Sequence, residues 1–90
     1  MLVLLVLTRP EVRPYLKKVT VAPITSVVRG LATELAAGQA NGLDHVPVVN
    51  CDNIVTVPQE CLARLLGHLM PEQEAALSRA IAAAFALEEP

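Results

Sequence analysis

"KKVTVAPITSVVRGLATE", residues 17–34, is the stretch on which the reading of this chain turns. Its valines alternate into a short strand, "VTVAPI" at 19–24. Pro23 takes one donor out of the ladder and so belongs at an edge, a bulge or a strand end. Thr25 and Ser26 follow side by side, then Arg29 and Gly30. Two hydroxyls and a guanidinium at one strand end suit a phosphodiester. The hydroxyls donate to non-bridging oxygens and the guanidinium spans two of them. Were the ligand RNA, the same groups could stabilise the charge that builds when a 2′-OH attacks its own phosphate. The plainer reading of Thr-Ser at a strand end is a local cap on the backbone.

Working outward, residues 2–7 are a continuous apolar run, as expected of a strand covered on both faces. The run lacks a basic leader segment and a cleavage site, and it is too short to span a bilayer. "TRPEVRPYLKK" interrupts it with two prolines and five charges, a loop or a turn of helix. Residues 30–36 alternate Leu31, Thr33 and Leu35 as a third strand, and 38–45 form a Gly- and Asn-rich turn. "VPVVNCDNIVTV" at 46–57 is the densest β-branched segment and reads as a strand. "PQECL" turns the chain, and "ARLLGHL" at 63–69 reads as a last short strand. Residues 71–87 then change period. Pro71 stands at a favoured first helical position, Glu72 and Glu74 complement the N-terminal dipole, and Leu77, Ile81, Ala84 and Phe85 make one apolar stripe. The expected architecture is a single domain over 1–90, mostly β within 2–69, closed by a C-terminal helix at about 71–87.

At 90 residues the chain has room for one core, and as a monomer it would be marginal. Hydrophobic residues make up 53%, mostly Leu, Val and Ala, with Tyr15 and Phe85 the sole aromatics. That composition fits a domain that completes its core against a partner. Residues 1–30 carry Arg9, Arg13, Lys17, Lys18 and Arg29 against Glu11 alone. Residues 31–90 carry Arg64 and Arg79 against eight acids. The split suits a local anionic ligand on the first part, and composition alone fits charges scattered over a solvated surface equally well. Cys51 and Cys61 lack metal or redox spacing, and His45 and His68 lack a zinc pattern, so reduced thiols in a cytoplasmic protein without a metal are expected. No Gly-rich phosphate loop, suggestive carboxylate pair, helix-turn-helix or aromatic ladder is present.

"VTVAPITSVVRGLATEL", followed by "GLDHVPVVNCDNIVTVPQECL", "LLGHL" and "EQEAALSRAIAAAFAL", resembles the MazF/PemK toxin family from about Leu4 to Leu87. The most specific segments are "APITSxxRGLxTE" and "VVNxDNIxTV". The resemblance implies an SH3-like small barrel of five strands with a C-terminal helix, the fold shared with CcdB-type toxins, acting as a homodimer with RNA bound across the dimer surface. It implies a metal-independent, cofactor-free, sequence-specific endoribonuclease of a bacterial toxin–antitoxin pair, working in the cytoplasm. The substrate would be single-stranded RNA, cut to a 2′,3′-cyclic phosphate or 3′-phosphate and a 5′-hydroxyl. A MazE-like antitoxin with an acidic, partly disordered tail would neutralise it.

Site residues follow from the same resemblance. The family's catalytic threonine is matched by Thr25, with Ser26 beside it. The family's arginine is not matched, because Leu2 and Val3 stand where Arg-Pro is usual, and the family's N-terminal strand does not occur in these 90 residues. Arg9, Arg13 or Arg29 would then have to supply the positive charge. Thr8 and Arg9 match a strand exit on the RNA face, and Arg29 lies on a loop that contacts RNA and antitoxin. Asp52 and Asn53 match a strand end that reads bases, the plainer alternative being a turn between strands. A member that binds but does not cut, by sequestering antitoxin or by binding gyrase as CcdB does, is the alternative class.

Overall fold

The computed structural model describes residues 3–37, 46–63, 65 and 67–87. The turn expected at 38–45 lies outside them. Five antiparallel strands and one helix make up the domain: β1 (Val3–Val6), β2 (Lys18–Thr25), β3 (Glu34–Ala36), β4 (Val48–Asn50), β5 (Val55–Pro58) and α1 (Pro71–Ala84). β2 is the hub. It pairs with β1 over Val21–Ile24, and on its other side it changes partner, taking β5 over Lys18–Val21 and β4 over Ile24–Thr25. β3 completes the order beyond β4.

Pro23 sits inside β2, opposite Leu4 of β1. On the far side, Ala22 and Pro23 fall between the β5 and β4 pairings, the one place where a missing donor breaks no ladder. The alternation shifts there too. Val19 and Val21 are buried, and so is Ala22 next to them. Ala22 joins Leu35, Val49, Cys51 and Ala80 in the central cluster, with Ile24 packed against it. The strand therefore buries parts of both its faces, as a sheet folded round on itself requires.

Several expected elements differ in the structure. The third strand shrinks from 30–36 to Glu34–Ala36, because Gly30 adopts a left-handed φ of 73° and residues 26–33 are looped out. The segment 46–57 divides into β4 and β5. Asn50 accepts the N–H of Asp52 at 2.8 Å through its side-chain oxygen, which winds Cys51–Asn53 into a 3-10 turn. The strand expected at 63–69 is not formed among its described residues; Leu65 there is 71% exposed, and the segment carries the chain from β5 to the helix.

α1 docks Ala76, Leu77, Ala80, Ile81 and Ala84 on the cluster, so most of the expected stripe is half-buried against the core. Phe85 is not part of it. It is the C-cap residue and is exposed, because Ala86 turns left-handed at φ 53° and ends the helix. Leu87 N–H donates to Ala82 O at 2.8 Å and Ala86 N–H to Ala83 O at 3.3 Å, a Schellman termination built on alanine instead of glycine. At the other end Gln73 Oε1 accepts the Met70 N–H at 2.7 Å, satisfying an otherwise orphaned donor.

Candidate nucleic-acid interface

The C-terminal end of β2 opens into a groove of about 370 Å³ lined by Pro23, Ile24, Thr25, Val27, Arg29, Asn50 and Asn53. Three elements meet there: the end of β2, the loop after it, and the end of β4 with its 3-10 turn. The pairing of Thr25 with Val48 and Ile24 with Val49 brings them together across some 25 residues of sequence. Of the residues singled out in the sequence, Thr25, Arg29 and Asn53 share this groove.

Thr25 Oγ1 accepts the N–H of Val27 at 3.0 Å. This is the local cap that its position suggested, and it fixes the side chain. A hydroxyl has one donor and two acceptor sites, so accepting this bond leaves its proton available to a ligand oxygen. Ser26 follows on the exposed turn and does not line the groove.

Arg29 is exposed, and its backbone is held. The carboxylate of Glu34 accepts the Arg29 N–H at 3.2 and 3.3 Å and the Leu31 N–H at 3.1 Å. One acid at the start of β3 thus gathers the backbone of the Arg29–Gly30–Leu31 bend, and Arg29 lines the groove. Glu34 was not singled out in the sequence, where it reads as the polar half of an alternating strand; three acceptor contacts to its own loop are the signal that only the fold supplies.

Asp52 lies on the same rim, though not among the groove-lining residues. Thr33 Oγ1 donates to its carboxylate at 2.6 Å, tying the 3-10 turn to the loop before β3. Asn50 is a further residue the sequence did not mark. It is nearly buried, and its side chain both lines the groove and caps Asp52.

Thr8, Arg9 and Arg13 are placed elsewhere. β1 and β2 run antiparallel, Val3 opposite Ile24 and Val6 opposite Val21, so the connection between them emerges beside Lys18. Seven strand residues at about 3.3 Å each separate that end of β2 from Thr25, roughly 23 Å. Thr8 Oγ1 accepts the Thr20 N–H at 2.8 Å, and Arg13 donates through Nε to Thr8 O at 2.7 Å and through Nη2 to Val6 O at 3.5 Å. Those two residues hold the connection together; Arg9 is exposed beside them. Among the groove-lining residues Arg29 is the one cation.

Among the described residues no three His, Cys, Asp or Glu side chains gather as a metal site, and no helix is long and apolar enough to cross a membrane. Cys51 is buried; burial, and secondarily the charge of Asp52, push its thiol above the usual range.

Comparison with known proteins gives a consistent result. The chain is 54% identical over 84 residues to the protein named endoribonuclease MazF3 of Mycobacterium tuberculosis, an alignment covering 93% of this chain and 82% of that one. The solved Mycobacterium tuberculosis toxin MazF-mt6 superposes with a TM-score of 0.86 at 52% identity, over 96% of this chain and 87% of that one. An endoribonuclease from a mycobacterial species, solved in complex with its cognate antitoxin, superposes at 0.81 with 25% identity, over 97% of this chain and 82% of that one. The model of PemK-like, MazF-like toxins of type II toxin–antitoxin systems matches residues 3–85. A family match across nearly the whole chain and relatives above 50% identity agree, and the chain belongs to the PemK/MazF-like family of type II toxins.

Proposed function

We propose that this chain is the toxin of a type II pair and acts as an endoribonuclease on single-stranded RNA. The observation that carries the reading is the convergence of Thr25, Arg29, Asn50 and Asn53 on one groove. A scissile phosphate seated there would receive a hydrogen bond from Thr25. Arg29 would neutralise the charge that grows on the non-bridging oxygens as the adjacent 2′-OH attacks in line. The bond from phosphorus to the 5′-oxygen breaks, leaving a 2′,3′-cyclic phosphate and a 5′-hydroxyl.

An exposed amide such as Asn53 can offer a donor and an acceptor to one unpaired base edge, which is how unpaired RNA is read, and this supports sequence specificity. Working as a homodimer in the bacterial cytoplasm and neutralised by an acidic antitoxin segment, the protein needs no metal. The antitoxin complex of the mycobacterial neighbour supports the partner.

The test is cleavage of a long single-stranded RNA by the purified chain in excess EDTA, followed by mapping of the ends. Cleavage at a recurring short sequence with 5′-hydroxyl ends, lost in Thr25→Ala and blocked by the acidic protein encoded beside this chain, is the expected outcome. Growth arrest on expression with RNA left intact would instead identify a toxin that acts by binding.

A further inference from the structure

The opposite end of β2 carries a second basic surface that the groove at Thr25 does not use. A groove of about 440 Å³ is lined there by Leu16, Lys17, Lys18, Pro58, Gln59 and Glu60. Beside it stands Tyr15, one of only two aromatic residues in the chain, and it is 85% exposed. A tyrosine left in water in a protein this short of aromatics contributes little to folding.

It is nevertheless held in place. Arg13–Tyr15 form a 3-10 turn that ends at Leu16, and Gln59 Nε2 donates to both Arg13 O (2.8 Å) and Leu16 O (3.0 Å). Gln59 N–H donates to Lys17 O at 2.8 Å. One glutamine therefore pins the backbone on both sides of the aromatic ring, and the ring itself stays open to solvent.

We infer that Tyr15, Lys17 and Lys18 form a distal subsite that holds the flank of the RNA strand. Tyr15 would stack on an unpaired base and the two lysines would contact its backbone. This rests on the RNA reading above. An exposed aromatic beside cations is the combination that single-stranded nucleic acid uses, because every base has a stackable face and every linkage an anionic oxygen. The span of roughly 23 Å along β2 sets the subsite several nucleotides from Thr25. Arg9 and the Arg13 guanidinium add positive charge to the same end, so that its four cations outnumber the acids Glu11 and Glu60. The inference explains why the basic residues of the first third divide between the two ends of one strand: Arg29 serves the bond that is cut, and the others serve its flank.

The test measures fluorescence anisotropy of a labelled, mixed-sequence 2′-O-methyl RNA of 12 nucleotides, with a 4-nucleotide version as the control. Tyr15→Ala should weaken the 12-mer about tenfold and leave the 4-mer unchanged. Tyr15→Phe, which keeps the stacking face, should restore binding. The double variant Lys17→Ala/Lys18→Ala should lower the slope of log affinity against log salt by about 1.4, as expected for two single-strand phosphate contacts. Circular dichroism of each variant confirms the fold.

Unchanged 12-mer affinity in both variants, while Arg29→Ala weakens it, would overturn the subsite and leave the groove at Thr25 standing. Loss of binding to poly-glutamate with RNA binding intact would overturn it in favour of a protein-binding surface. Failure of the wild-type chain to bind either RNA would overturn the RNA reading itself.

Discussion

The carboxylate of Glu34 accepts the backbone N–H of Arg29 at 3.2 and 3.3 Å, and that of Leu31 at 3.1 Å. An acid at the start of a strand thus sets where the groove's arginine stands. Glu34→Ala leaves two N–H groups to water, and because the site is exposed the cost to stability should be no more than about 1 kcal/mol. The larger effect belongs in cleavage, with a fall of about tenfold as the loop loses its register. Glu34→Gln keeps an acceptor oxygen and should recover most of the rate. Single-turnover cleavage set against denaturant unfolding separates the two effects. Equal activity in all three proteins would show that the contact does not position Arg29.

Arg29 itself should matter more. Arg29→Ala should reduce cleavage by about 10² to 10³, the range for removing one strong contact to developing charge. Arg29→Lys restores the charge but not the two-pronged geometry, and should fall between them. Binding of an uncleavable substrate should change less than the rate does. Cleavage undiminished in Arg29→Ala would assign the charge to another residue.

Cys51 gives a prediction about pH. Its thiol is held protonated in the fold, chiefly by burial and further by Asp52. The folded value lies above the unfolded one, so the unfolded chain ionises first as pH rises. Stability should therefore be at full strength below roughly pH 8.5 and decline above it. Cys51→Ala should flatten that decline in urea titrations at successive pH values. A thiol-reactive disulfide reagent should modify exposed Cys61 in the native protein and reach Cys51 only on unfolding.

The helix terminus offers a stabilising change. Ala86 occupies φ 53° in the Schellman turn, a conformation that costs a residue with a Cβ about 1 kcal/mol. Ala86→Gly should recover most of this, since glycine adopts that backbone freely. Thermal unfolding should shift upward by several degrees. A downward shift would mean that the added freedom of the unfolded chain outweighs the relieved strain.

How much of this was legible before the fold is clearest from particular segments. β2 was legible because its valines alternate, although Pro23 lies inside it, and α1 because Pro71, two early acids and an apolar stripe coincide. The stripe overran by one residue, since nothing in "AAAFAL" marks Ala86 as left-handed. The break at Cys51–Asn53 was hidden because Asn50 sits among valines, and only its side-chain bond to Asp52 ends the strand. Thr25 and Arg29 are four residues apart in one local motif, and both line the same groove. Thr8, Arg9 and Arg13 were singled out by resemblance to a strand exit on the RNA face and by their charge, and antiparallel pairing places them at the other end of the strand from Thr25. Glu34 and Asn50 escaped notice because their roles are contacts with backbone, which residue type does not announce.

β2 borders three other strands, and two of those borders join it to residues about 25 and 37 positions later in the chain. During synthesis the first hairpin can close early, but the cleft at Thr25 has only one wall until the Asn50–Asn53 segment has left the ribosome. The groove therefore stays incomplete until more than half of the chain has emerged. The moment at which the groove closes is thereby written into the order in which the strands are made.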